Sequence, residues 1–341
     1  MPVEPTIPVR WLVYLGAFAA AGVLAALLTP KMRQAALRFG IVDRPDGTLK
    51  THREPVPYLG GLAIYLAFLL SLAGTVEFNG QVLGILLAGS ILVVIGLVDD
   101  LGQIGPWTKL MGQLVAVVVL LKSGIFIKLV MLPLWVSLPL SILWLLAVTN
   151  AFNLIDIMDG LSAGTAVVAS LALLVVAHLG GLVTAAVILA ALAGACAGFL
   201  KDNFQPARIY MGDSGALFIG LLLGALAMNN AYTEHNLVAA LAPAIILGVP
   251  LFDMLFVMYI RYRRGMSMML GSPDHIALRL RKWRFSTRQT VLISWGVTGL
   301  LGLAAIGMSL GSRDQALVIL GSLVLAALAC AALFKRIDMS L

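Results

Sequence analysis

Charge is what this chain has least of. Of its 341 residues, 11% are Asp, Glu, Lys or Arg, against about 25% in soluble proteins, and 61% are hydrophobic. That shortage excludes a water-soluble fold for most of the chain and leaves no room for a separate soluble domain. Cysteine is nearly absent too: Cys196 and Cys330 are the 2 present, and both fall inside apolar runs, so no extracellular disulfide framework is written here. The net charge of +7 sits mostly between the apolar runs, where basic residues meet anionic headgroups, and carries no nucleic-acid signature. The first apolar run, Val9 to Leu28, is too long for a signal-peptide core and lacks a small-residue cleavage site after it, so it is expected to stay as a span.

What is present is a succession of apolar runs near the length of about 20 residues that a membrane helix needs. They lie near 9–28, 58–76, 82–98, 107–122, 135–151, 162–179, 182–200, 213–229, 237–260, 289–310 and 315–334. The expectation is a single all-α polytopic membrane domain over 1–341, with eleven transmembrane helices, or ten if two runs share one crossing. Basic residues stay on the cytoplasmic side. With the N-terminus outside, all of the 23 Lys and Arg except Arg10, Lys122, Lys128 and Arg313 fall in cytoplasmic segments. The C-terminus is then cytoplasmic as well.

Sorting the loops this way places the unusual polar stretches together. Lys50–Gly61, Asp99–Lys109, Asn150–Gly164, Lys201–Gly215 and Arg261–Arg288 all reach the cytoplasmic side. The other side receives short turns and Ile125–Leu138, read as a small hairpin or a surface helix. A chain that gathers its polar features on one face is building a site there. A cation-coupled transporter would put some of them at mid-depth on broken helices.

Four polar residues spaced by three, Asn150, Asn153, Asp156 and Asp159, interrupt an apolar stretch. On one helix, positions three apart stay near one face and can converge on a single ligand, and polar groups at such places face a cavity rather than lipid. The plain alternative is a polar cluster that binds helices together. Asp99 and Asp100 close the third run and Lys109 opens the next; adjacent carboxylates repel unless a lysine or a divalent metal relieves them. Asn203 to Gly215 ends in Met-Gly-Asp-Ser-Gly, with Asp213 near a helix N-terminus, where an Asp caps the helix or backbone N–H groups favour a phosphate. Hard oxygens of this kind suit Mg²⁺, which needs only one or two protein ligands, and Asp213 with Asn153 or Asp156 would suffice. In the basic stretch Arg261–Arg288, His275 and Arg279 are four apart; on a helix they share a face that could grip a diphosphate.

Taken in order, Lys50-Thr-His52 with Pro55-Val-Pro57-Tyr-Leu-Gly60-Gly61, Asp99-Asp100, Asn150-x-x-Asn153-x-x-Asp156-x-x-Asp159-Gly160, Asn203-x-x-Pro206-Ala207 and Met211-Gly212-Asp213-Ser214-Gly215 resemble the polyprenyl-phosphate N-acetylhexosamine-1-phosphate transferases. Within them the chain looks closer to the bacterial undecaprenyl-phosphate GlcNAc-1-phosphate transferases than to the phospho-MurNAc-pentapeptide translocases. The resemblance runs from about residue 40 to 285. It implies a multi-pass protein of the bacterial cytoplasmic membrane, surrounded by its lipids, that transfers HexNAc-1-phosphate from a UDP-N-acetylhexosamine to undecaprenyl phosphate and releases UMP, initiating a cell-envelope glycan. It implies that Asp99 and Asp100 lie near the attacking lipid phosphate, that Asp213 is a magnesium ligand (Mn²⁺ serving as the alternate ion), and that Asn153 shares the metal. By the same resemblance Lys109 contacts substrate phosphate, Asp156 and Asp159 lie near the nucleotide, and Lys50 and His52 form a rim element. Asn150, Asn203, His275 and Arg279 complete the expected substrate-binding set, and a homodimer is expected because family members are often dimers. One place departs: the family's His-x-His-His-Arg-Leu run reads His275-Ile-Ala277-Leu278-Arg279-Leu280 here, which leaves the sugar donor open between UDP-GlcNAc and another UDP-sugar. An intramembrane aspartyl protease would need two carboxylates, but neither the Asn-Asp ladder nor the basic loop.

Overall fold

The computed structural model describes residues 7–43, 55–102, 104–129, 132–228, 232–233, 235–267, 272–337 and 339. Each of the apolar runs forms helix, because in lipid a helix bonds its backbone N–H and C=O groups within its own segment. In chain order the helices are α1 (Ile7–Phe39), α2 (Gly60–Ala73), α3 (Gly80–Gly102), α4 (Pro106–Lys122), α5 (Leu134–Ile155), α6 (Leu161–Leu179), α7 (Val183–Asn203), α8 (Gly212–Met228), α9 (Ala242–Ile246), α10 (Gly248–Arg263), α11 (Ile276–Lys282), α12 (Thr287–Leu310) and α13 (Arg313–Lys335). A 3₁₀ turn, Leu237–Leu241, precedes α9. Local signals set several starts. Pro106 opens α4, and reciprocal Ser–Gln caps, Ser286 with Gln289 and Ser312 with Gln315, open α12 and α13.

Among the described residues, seven helices are long and apolar enough to cross a membrane, or eight if the pair Leu237–Ile246 and Gly248–Arg263, bent by 77°, counts as one. This is a multi-pass membrane protein. The expected ten or eleven full-length spans are not matched in length. Helix α2 has 14 residues and α4 and α8 have 17 each, so at 1.5 Å per residue they run roughly 21–26 Å, short of a hydrocarbon core about 30 Å thick. Two other expectations are corrected. The stretch Ile125–Leu138 forms neither hairpin nor surface helix where it is described: irregular chain leads into α5 at Leu134. Ser141 Oγ accepts the Ile127 N–H at 2.9 Å there and Ser137 Oγ donates to the Ile127 carbonyl. The chain also carries a two-residue antiparallel pair, β1 (Val42–Asp43) with β2 (Val56–Pro57), in the register Val42↔Pro57 and Asp43↔Val56.

The core is α6, α7 and α8, each mostly buried. Helix α7 lies against α1 through small residues. A Cβ on Gly194 would overlap the Phe18 carbonyl, and one on Gly198 the Gly22 carbonyl. Close backbone approach of this kind supplies packing in lipid, where no hydrophobic force draws helices together. At the rim, α13 leaves Val318, Leu325 and Leu328 exposed, as a helix facing acyl chains should. Near one end of the bundle α2, α3 and α8 cross at glycines, where a Cβ on Gly96 would overlap the Asp213–Ser214 backbone and one on Gly61 that of Gly215. The β pair ties this crossing down. Tyr210 N–H donates to the Pro57 carbonyl at 2.8 Å, while Gly60 and Gly61 N–H donate to the carbonyls of Tyr210 and Met211 at 3.0 and 2.8 Å.

Candidate active site

The site forms where α3 ends and α8 begins. Gly212 has φ +71°, a left-handed turn that a residue with Cβ rarely adopts, and it starts α8 with Asp213 in the first turn. The helix N-terminus needs an acceptor, and Asp213 does not provide it. Asp100 does, from α3: its carboxylate accepts the Asp213 N–H at 2.8 Å and the Ser214 N–H at 3.2 Å. Asp100 therefore holds α8 by its N-terminus, and Asp213 is left free to point elsewhere.

Lys109, in the first turn of α4, donates among three oxygen acceptors. Its Nζ is 3.0 Å from Asp99 Oδ2 and 3.2 Å from Asn153 Oδ1, and it pairs with Asp213 Oδ2. Asn153 Nδ2 donates to Asp213 Oδ1 at 2.7 Å. Asp99 spends its other oxygen on the Ile104 N–H at 2.8 Å, which closes the α3–α4 turn. Four helix ends thus converge on one cation. Around them the field is negative: Tyr210 is pushed up to about 12 by burial, with Asp159, Asp43 and Asp156 adding to it, and burial with Asp43, Asp100 and Asp213 nearby raises Tyr58.

The Asn-Asp ladder does not converge as a single helical face. Helix α5 stops at Ile155 and Asp156 is its C-cap, so Asn150 and Asn153 are helical while Asp159 lies in the following turn. Asn150 points away from the cluster. It exchanges hydrogen bonds with Gln113 at 2.7 and 3.2 Å and donates to the Leu146 carbonyl at 2.8 Å, bracing α4 against α5. Asn203 is likewise spent: it accepts the Gly160 N–H and donates to the Ile209 carbonyl, both at 3.0 Å, and is buried. Asp159 accepts the Ala207 N–H at 2.9 Å. The Asp156 N–H closes the helix on the Asn153 carbonyl at 3.4 Å, while its carboxylate has no hydrogen-bond partner among the described residues. Burial, then repulsion by Asp213, Asp100 and Asp159, raises its carboxyl to about 8.

The paired grip expected of His275 and Arg279 is also corrected. His275 is not on the helix but caps α11 with an extended backbone, and its Nδ1 lies 2.6 Å from Asp253 Oδ2. Arg279 is 1% exposed. Its guanidinium donates to the Asp274 carbonyl and carboxylate at 3.0 and 2.7 Å and to the carbonyls of Phe334 and Ile337 at 2.9 and 2.7 Å. It pins the C-terminal end of α13 and has no face left for phosphate. Ala277, where the resembled family carries a histidine, is buried with Leu161 and Val291. Lys50 and His52 lie outside the described residues.

Sequence reasoning passed over Gln113, Asp253 and Asp43. The first two were findable as lone polar residues in apolar helices; Asp43, in the short strand β1 after α1, had no such signal. Among the described residues no three His, Cys, Asp or Glu side chains form a ready-made metal cage. The oxygens of Asp99, Asn153 and Asp213 facing Lys109 are nevertheless the hard donors Mg²⁺ takes, and one or two protein ligands satisfy it. The residues present fit that ion.

Residues 82–231 match the family model described as Glycosyl transferase family 4. The chain is 31% identical over 299 residues, 85% of its length and 83% of the other, to a Bacillus subtilis protein named "Probable undecaprenyl-phosphate N-acetylglucosaminyl 1-phosphate transferase". It is 32% identical over 362 residues, 95% of its length and 89% of the other, to a Mycobacterium tuberculosis "Decaprenyl-phosphate N-acetylglucosaminephosphotransferase". It is 31% identical over 282 residues, 76% of its length and 86% of the other, to a Heliobacterium modesticaldum "Phospho-N-acetylmuramoyl-pentapeptide-transferase".

Proposed function

Because this chain belongs to glycosyl transferase family 4, we propose that it transfers GlcNAc-1-phosphate from UDP-GlcNAc to undecaprenyl phosphate, giving a lipid-diphosphate-linked sugar and UMP. An oxygen of the lipid phosphate forms a bond to the β-phosphorus, and the bond from that phosphorus to the bridging oxygen breaks, so the oxygen leaves with UMP. Two anions must meet, and phosphoryl transfer asks a protein chiefly for positioning and charge neutralisation. The observation that carries the reading is the convergence of Asp99, Lys109, Asn153 and Asp213 from four helix ends. Asp213 and Asn153 would hold Mg²⁺, or Mn²⁺ in its place, with Asp99 beside them; the bound ion supplies Lewis-acid neutralisation of the phosphates. Lys109 steadies the transferred phosphate, and Asp100 sets the position of Asp213. Asp156 and Asp159 face the nucleotide.

The basic-residue distribution supports placing this end of the bundle in the cytoplasm, with the N-terminus outside and the eleven apolar segments crossing a bacterial cytoplasmic membrane; the lipid-linked sugar would start an envelope glycan. Transfer of phospho-MurNAc-pentapeptide ranks second, because the relative so named matches less of the chain. The test is UMP release from purified protein in detergent, with undecaprenyl phosphate and a panel of UDP-sugars, with Mg²⁺ and with chelator. Release with UDP-GlcNAc that Asp213→Ala abolishes is expected. Full turnover in Asp213→Ala would remove the assignment.

A further inference from the structure

Lys109 occupies a place built for a different kind of cation. Its Nζ bonds a carboxylate on α3 (Asp99, 3.0 Å), an amide oxygen on α5 (Asn153, 3.2 Å) and a carboxylate on α8 (Asp213). Three hard oxygens aimed at one point are what a divalent cation seeks. An ammonium at that point takes the space such an ion needs and repels it, because both are positive. Lysine is also the residue best able to leave: a compact charge on a flexible four-carbon stem. Its side chain is 16% exposed, so the pocket is open on one side.

We propose that Lys109 is a displaceable plug: its ammonium fills the oxygen pocket while no divalent cation is held, and swings out toward the substrate phosphates when one is. The inference rests on the reading of Asp213 as the metal ligand. Within that reading it assigns Lys109 two positions, and makes the protein's cation affinity without substrate weaker than the bare oxygen set would give. Nucleotide phosphates, by drawing Lys109 away, then strengthen cation binding through the lysine as well as by direct contact.

The test uses the full chain in detergent without substrate. Binding of Mn²⁺ is read by electron paramagnetic resonance, and solvent access of lysines by reductive methylation with mass spectrometry. Lys109→Met should bind Mn²⁺ about tenfold more tightly than the wild type or better, a change worth roughly 1.4 kcal/mol, and Lys109→Arg no more tightly. In the wild type, saturating Mg²⁺ should raise methylation of Lys109 several-fold and leave Lys122, at the far end of α4, unchanged. Lys109 methylation that stays level or falls on Mg²⁺ addition overturns the plug, as does a Lys109→Met protein that binds Mn²⁺ no better. If Asp213→Ala binds Mn²⁺ as tightly as the wild type, the metal assignment itself fails, and the plug with it.

Discussion

Replacing Asp100 with asparagine separates two roles that any loss of activity would confound. The Asp100 carboxylate uses one oxygen for the Asp213 N–H at 2.8 Å and the other for the Ser214 N–H at 3.2 Å. Asparagine keeps the shape but offers a single acceptor and turns an N–H₂ toward the second donor. One charge-assisted hydrogen bond, worth about 1.5–3 kcal/mol, is lost. The favourable interaction of a negative charge with the N-terminus of α8 goes as well, about 0.3–1 kcal/mol. Relief of the desolvation of the Asp100 carboxylate, and of its repulsion by Asp213, works in the other direction. A net loss of roughly 1–3 kcal/mol follows, a fall of roughly 1.5–4 °C in Tm for a chain of this size. Thermal unfolding in detergent with chelator present reads the first quantity, and UMP release at a permissive temperature the second. Asp100→Asn should lower both, because α8 loosens and Asp213 shifts with it. Asp100→Asn with wild-type Tm and no turnover would refute the reasoning: Asp100 would then act on substrate and not as the cap of α8.

Gly212→Ala should lose at least tenfold in turnover. The new Cβ meets the Asp100 carboxylate, and φ +71° costs an alanine about 1–2 kcal/mol; a steady-state assay beside Gly102→Ala, which meets nothing within 4 Å, checks it. Arg279→Met strands Asp274 at 1% exposure with its other cation, Arg264, half in solvent, so thermal stability should fall by about 3–5 kcal/mol. The KM for UDP-sugar of the protein that stays folded should remain unchanged; a selective rise in KM would return Arg279 to the substrate. Asp156 has a folded pKa raised to about 8, above its unfolded value, so it binds a proton more tightly when folded and its effect on stability turns unfavourable as pH rises from about 4 to about 8. Asp156→Asn should therefore exceed the wild type in Tm at pH 8, with the gap narrowing toward pH 5. A gap that is constant with pH would contradict the shift.

The composition alone determined the solvent of this protein. So few charges among so many apolar residues leave helices in lipid as the economical way to bond the backbone, and each apolar run is helical where described. Order and residue type in Asp99-Asp100, Lys109, Asn153 and Met211 to Gly215 also pointed to one site, because polar side chains persist in such segments only where they have something to bind. Tertiary structure alone decided which of those side chains face that site. Periodicity could not see that α5 ends at Ile155, which makes Asp156 a cap, nor that Gln113 on α4 claims Asn150. Spacing of four could not see that Asp253 and the end of α13 claim His275 and Arg279, because a hydrogen-bond partner far away in sequence leaves no local mark. Nor could adjacency distinguish Asp99 from Asp100: one carboxylate reaches Lys109 and the other holds the N-terminus of α8, a division set only by where the glycines of α2, α3 and α8 let three backbones cross.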